Sequence, residues 1–149
     1  MNKKLFIHLS VVFFFYFTNT SFSQIKSERV SFGYSLGYVN NIHLDYSVAD
    51  HFQFGLLIGD IVIDKDINFH NIGASFKYFF DDNDISPYLG FSASTIIGET
   101  LDYYFYFPLG VQKFATNDFA FSLGFNPGIY INDDINYLMT AEIGIAFYF

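Results

Sequence analysis

An all-β chain folded as an eight-stranded antiparallel up-and-down transmembrane barrel is the architecture this sequence predicts. Three observations carry the prediction. Apolar residues alternate with small or polar ones at a period of two over most of the length, as in extended strands with one apolar face. Beyond the first stretch, no segment carries a 3.6-residue stripe or a helical membrane span. The chain holds 22 Phe and 12 Tyr, yet only 15% of its residues are charged, against about 25% in soluble domains.

Residues 1–23 read as a secretory signal peptide. Lys3 and Lys4 supply the positive start, and Leu5 to Phe17 is an apolar run broken by His8 and Ser10. Ser21 and Ser23 stand at the −3 and −1 positions of a cut before Gln24. The run is shorter than the roughly 20 apolar residues a helical span needs. The barrel is then expected over residues 24–149, as one domain without linkers.

The first strand, Val30 to Tyr38, sets Val30, Phe32, Tyr34, Leu36 and Tyr38 against Ser31, Gly33, Ser35 and Gly37. Val39-Asn40-Asn41 is a tight turn, where Asn tolerates positive φ. The second strand, Ile42 to Val48, turns His43, Asp45 and Ser47 to the polar face. After Ala49-Asp50-His51 comes the third, Phe52 to Gly59, then an acidic loop over Asp60 to Asn68. The fourth, Phe69 to Phe79, alternates Ile72, Ala74, Phe76 and Tyr78 with Asn71, Gly73, Ser75 and Lys77.

After a polar turn, Phe80 to Ile85, Pro87 opens the fifth strand, where proline is tolerated. A loop at Ile96 to Leu101 leads to the sixth, from about Tyr103 to Phe114, with Pro108 inside it. Proline cannot donate to the ladder, so a bulge is expected there, leaving the parity beyond it open. Ala115 to Asp118 turns the chain into the seventh strand, Phe119 to Asn126, whose far end Pro127-Gly128 is expected to disturb. Ile131 to Asn136 is the last loop, and Tyr137 to Phe149 the eighth strand.

Volume decides which face points out. The apolar face is mostly Phe, Tyr, Leu and Ile, and an eight-stranded barrel has no interior room for that set. The other face, mainly Gly, Ser, Ala, Asn and Gln, suits a lumen. The first charge on the apolar face is Lys113, near a strand end. Closure into a barrel would satisfy the backbone groups that lipid cannot.

The last strand ends Glu-Ile-Gly-Ile-Ala-Phe-Tyr-Phe. This pattern resembles the C-terminal strand of bacterial outer-membrane β-barrels, and the chain after the leader resembles the small eight-stranded OmpA/OmpX-type barrels, the outer membrane protein beta-barrel domain family. The resemblance implies an integral outer-membrane location with both termini periplasmic. The turns at Ala49–His51, Phe80–Ile85 and Ala115–Asp118 would then be periplasmic and the other four loops external. It also implies a monomer in contact with outer-membrane lipid and lipopolysaccharide. Periplasmic chaperones and the barrel-assembly machinery would act during biogenesis, with Phe149, Phe147, Ile145 and Gly144 as the assembly signal. The chain departs from the family pattern in its short outer loops and its lack of Trp.

Little chemistry is legible. Without Cys there are no disulfides, thiolate metal sites or lipidated cysteine, and the net charge of −8 argues against nucleic acid. Asp45, Lys77 and Glu142 are the charged residues on the lumen face. They form either a packed, hydrated polar network or a selectivity or proton-relay element in a narrow pore. Gly and Ser abound around them, so water-filled cavities are expected. His70, Thr95 and Asp66 could form a lipid-modifying triad at the outer rim, against the plainer reading of an interfacial histidine. His43 and His51 lack a transition-metal spacing. Asp60, Asp64, Asp66, Asp133 and Asp134 read as solvated loop charge rather than a cation site. The expectation is a non-catalytic protein without cofactor or metal, in a structural or surface-interaction role. A narrow channel for ions or small solutes is the alternative, and a lipid-modifying enzyme the third.

Overall fold

A computed structural model describes residues 28–62, 68–81, 85–97 and 101–149, with side chains for all of these except 60–62 and 68–70. The proposed signal peptide, Asp64 and Asp66 lie outside the described residues, and so do the side chains of Asp60 and His70. The strands are β1 (Arg29–Leu36), β2 (Asn40–Ala49), β3 (Phe52–Val62), β4 (Asn68–Phe79), β5 (Ile85–Ile97), β6 (Leu101–Tyr106), β7 (Leu109–Thr116), β8 (Phe119–Ile131) and β9 (Ile135–Tyr148). β6 and β7 are two halves of one stave, so the barrel has eight. Each stave pairs antiparallel with the next, and β9 pairs back on β1 from Leu36↔Ile143 to Ser31↔Tyr148.

The registers define the barrel's shape. One circuit of paired residues runs Tyr148, Ser31, Asp45, Gly55, Ser75, Ser92, Tyr106, Gly128 and Leu138. It leaves β9 at 148 and returns at 138, a stagger of ten residues. Ten rises of ~3.3 Å against eight spacings of ~4.8 Å tilt the strands by about 40° to the barrel axis.

The alternation sorts cleanly. Phe32, Leu44, Phe54, Leu56, Ile58, Phe91, Leu123 and Ile143 are exposed on the outside, while Ser31, Ser35, Ser47, Gln53, Ser75 and Ser92 are buried inside. This inside-out distribution is stable only against lipid. Near the end where β1 begins and the chain finishes, the terminus-bearing end, outward aromatics form a belt. Phe52 lies 5.1 Å from Tyr78 and Tyr78 5.4 Å from Phe80, while Phe119 is 4.7 Å from both Phe121 and Phe147, between ring centroids.

Several boundaries differ from the sequence expectation. The sixth stave begins at Leu101, not Tyr103, and takes in Asp102. β8 and β9 extend to Ile131 and Ile135, so the last loop shrinks to Asn132–Asp134. The expected bulge at Pro108 is absent. Ser92↔Tyr106 and Leu89↔Leu109 keep one register on one side, Tyr106↔Gly128 and Leu109↔Phe125 on the other. Parity therefore continues, and Tyr104, Tyr106, Pro108, Gln112 and Phe114 all point inward. Pro108 loses a donor but not its acceptor: Gly90 N–H still donates to its carbonyl at 2.8 Å, and Phe107 N–H donates to the Pro127 carbonyl at 2.8 Å. The missing donations are the reciprocal ones, to the carbonyls of Gly90 and Phe107. Pro127 likewise leaves the β8–β9 register unbroken, from Phe119↔Phe147 to Ile131↔Ile135. The register shifts that do occur fall between Ser47 and Ala49 and between Phe114 and Thr116, beside turns at the terminus-bearing end.

Two outcomes test this frame. Ile143→Arg sets a charge on the lipid face at a cost of ~2–4 kcal/mol near the bilayer midplane. The variant should lose the heat-dependent gel shift that the parent shows between unboiled and boiled samples. Pro108→Ala supplies the missing N–H without altering register, and the gain of about 1 kcal/mol offsets the lost proline rigidity. Urea unfolding in lipid vesicles should find it at least as stable as the parent.

Candidate functional site

The lumen is built in three bands. At the terminus-bearing end, Phe79, Tyr88, Phe114, Ala120 and Tyr148 pack together, with Ala146 against them. At the opposite end, Val39, Leu57, Ile96, Tyr104 and Tyr106 form a second cluster, joined by Tyr130 and Leu138. The polar and charged side chains lie between. Tyr88 can cross the interior because its partners carry no side chain: a Cβ at Gly110 or Gly124 would stand 2.7 or 2.8 Å from its hydroxyl.

The structure brings the three charged residues that the sequence places on the lumen face, Asp45, Lys77 and Glu142, into one electrostatic set. Lys77 interacts with both Asp45 and Glu142, and its Nζ lies 5.4 Å from the centre of the Tyr88 ring. Asp45 and Glu142 are buried. Ser31 Oγ donates to Asp45 Oδ2 at 3.5 Å, and Asn126 Nδ2 donates to Glu142 Oε2 at 3.0 Å. Gly55 makes room for Asp45, since a Cβ there would come within 1.9 Å of Asp45 Oδ1. Tyr148 OH accepts from Gln53 Nε2 at 3.2 Å and Gln112 Nε2 at 2.8 Å, coupling the polar band to the apolar layer below it. Some buried atoms have no hydrogen-bond partner, among them Asp45 Oδ1, Gln53 Oε1, Asn126 Oδ1 and His43 Nδ1. Such groups are where buried water binds in proteins.

Among the described side chains, the remaining candidates lie apart. His43 points inward, its Nε2 2.6 Å from Ser35 Oγ. His51 sits in a turn, with Nδ1 2.9 Å from the Phe79 carbonyl. Thr95 pairs across the ladder with Ile72, and the His70 backbone pairs with Ile97. Asp133 and Asp134 are exposed in the β8–β9 turn, where Asp134 N–H donates to Asn132 Oδ1 at 3.0 Å. Among the described residues, no three His, Asp or Glu side chains group as metal ligands. The terminal residues Phe149, Phe147, Ile145 and Gly144 lie at the seam, where Phe149 N–H donates to the Val30 carbonyl at 2.9 Å.

Sequence reasoning missed three features. Arg29 reaches from β1 to the turn before β8, bonding Asp118 Oδ1 at 2.7 Å and the Asn117 carbonyl at 2.8 Å, with its guanidinium 5.2 Å from the Tyr148 ring centre. Asp102 is buried in the lumen and accepts a hydrogen bond from Tyr130 OH. Both had a signal in parity: Arg29 lies two residues before Ser31, and Asp102 two before Tyr104. The third, Val39, had none, because a turn has no period.

Closed registers, an apolar exterior and a filled polar interior define an eight-stranded transmembrane β-barrel of the outer-membrane kind. The chain is similar in structure to the N-terminal β-barrel domain of Pseudomonas aeruginosa OprF, with a TM-score of 0.60 and 13% identity over 85% of this chain and 99% of that one. It is similar to a de novo designed transmembrane β-barrel, with a TM-score of 0.55 and 16% identity over 85% and 99% of the two chains. Neisserial surface protein A also matches, with a TM-score of 0.55 and 16% identity over 80% and 92%. No family model and no curated protein sequence matches the chain.

The charged set makes one prediction. Lys77→Met leaves the buried carboxylates of Asp45 and Glu142 without their nearby cation, which is destabilising. The variant should convert to the unfolded gel band at a lower temperature. Adding Asp45→Asn should recover part of the loss.

Proposed function

We propose that the protein is an integral outer-membrane barrel with both termini periplasmic, acting in a structural or surface-interaction role, without catalysis and without a conducting lumen. The observation that carries this reading is the filling of the interior. Apolar layers at both ends, one around Phe79, Phe114 and Tyr148, the other around Leu57, Ile96 and Tyr106, bracket the charged band. A hydrated ion would have to displace one of them, and small barrels have little space to spare. The partners that follow are outer-membrane lipid and lipopolysaccharide around the apolar belt, and chaperones and assembly machinery before insertion. A monomer suffices, because closure leaves the eight staves no partner to seek.

The unpartnered polar atoms of Asp45, Gln53 and Asn126 favour a second reading, a narrow passage for ions or small solutes. Planar-bilayer recording separates the two. The purified barrel should give no stepwise conductance, and Asp45→Asn or Glu142→Gln should leave that unchanged. Regular steps whose ion selectivity moves with either substitution would establish the channel instead.

A further inference from the structure

We infer that the β1–β2 turn, Gly37–Val39, is a displaceable closure over the far end of the lumen, and that the band behind it takes up small cations. The inference rests on the sealed-lumen reading above and names the element that does the sealing. Val39 is a turn residue, yet it is buried in a cluster drawn from β3 (Leu57), β5 (Ile96) and β6 (Tyr104, Tyr106). Its neighbour Tyr38 lies 6.2 Å from the Tyr104 ring, between centroids. The turn thus folds inward and packs Val39 among side chains that the strands supply.

The turn is lightly held. β1–β9 pairing stops at Leu36↔Ile143 and β2–β3 pairing begins at Asn40↔Asp60, so the backbone of Gly37–Val39 belongs to neither ladder. Two long contacts brace it: Gly37 N–H to Asn40 Oδ1 at 3.4 Å, and Asn41 Nδ2 to the Val39 carbonyl at 3.3 Å. Asn41 is held in turn by Asn71 Nδ2 of β4, at 2.7 Å. An amide relay, Asn71 to Asn41 to Val39, ties the closure to the wall.

What lies behind the turn is polar and acidic. Ser35, two residues before the turn, and His43, four residues after it, come first, and then the set of Asp45, Glu142 and Lys77, with two carboxylates against one ammonium. Asp45, Asn126 and His43 are each more than nine-tenths buried and each keeps an atom without a partner. Oxygen acceptors in an interior of net negative charge favour cations over anions.

The absence of cysteine makes a direct test possible. Ser35→Cys places a single thiol beneath the turn. Its reaction with a small cationic methanethiosulfonate, and with an anionic one of similar size, is followed on the barrel folded in lipid vesicles. The thiol should react slowly in the otherwise unaltered chain. Adding Val39→Gly, or separately Asn71→Ala, should speed the cationic reagent by about tenfold or more, the factor that ~1.4 kcal/mol of lost closure represents, and speed the anionic one less. The heat-dependent gel shift shows which variants are folded, and Asn71→Ala keeps Val39 in place if Val39→Gly does not fold. Slow reaction in every folded variant would overturn the closure and leave the sealed lumen standing. Fast reaction in Ser35→Cys alone would overturn both. Equal acceleration of the two reagents would overturn the preference for cations.

Discussion

Everything in this barrel depends on the pairing of β1 with β9. In hydrocarbon an unpaired amide has no water to turn to, and each one costs several kcal/mol. A sheet of eight staves therefore has to close. The seam is short, from Leu36↔Ile143 to Ser31↔Tyr148, and it is reinforced outside the ladder. Phe149 N–H reaches the Val30 carbonyl, Tyr148 N–H reaches the Asp118 carbonyl, and Arg29 spans β9 to hold the turn that opens β8. The last residues of the chain are thus fastened from both sides. The ion pair itself adds little, since Asp118 is largely exposed. The stacking of Arg29 over Tyr148 fixes where it lands.

Closure at a stagger of ten residues leaves a narrow interior, and the composition of the lumen face follows from that. Gly and Ser dominate because most inward positions have no room for more. Where a large side chain does point in, a glycine faces it, as Gly110 and Gly124 face Tyr88 and Gly55 faces Asp45. The large residues gather at the two ends. Asp45, Lys77 and Glu142 stay in the middle, while Asp102 sits at the far end beside the Tyr130 hydroxyl. The lumen works as a second core, polar at its centre and apolar at its ends, while the first layer of apolar side chains faces lipid.

Much of the frame was legible before any coordinates. A period of two shows which residues share a face, and volume shows which face turns out, so the eight staves and the inward placement of Asp45, Lys77 and Glu142 follow from the chain alone. The errors have physical causes. A bulge is expected at Pro108 and a disturbance at Pro127, but proline removes one donor and no residue. The carbonyls of Pro108 and Pro127 still accept, and the ladder carries on through both. The cluster of Asn and Asp before β9 predicts a loop over Ile131 to Asn136, yet Ile131↔Ile135 pairs and leaves three residues to turn.

By itself the sequence determined the strand count, the sorting of the two faces and the membrane as solvent, because alternation, volume and charge are local properties that add along the chain. Only the tertiary structure decided which inward residues meet. That depends on the stagger accumulated over eight registers, and a shift of two residues in any one would keep every side chain on its face while changing its partners. The meeting of Lys77 with both Asp45 and Glu142, the anchoring of Arg29 on Asp118 and the insertion of Val39 among Leu57, Ile96 and Tyr104 all belong to that second kind. They are proximities across a closed cylinder, set by its geometry.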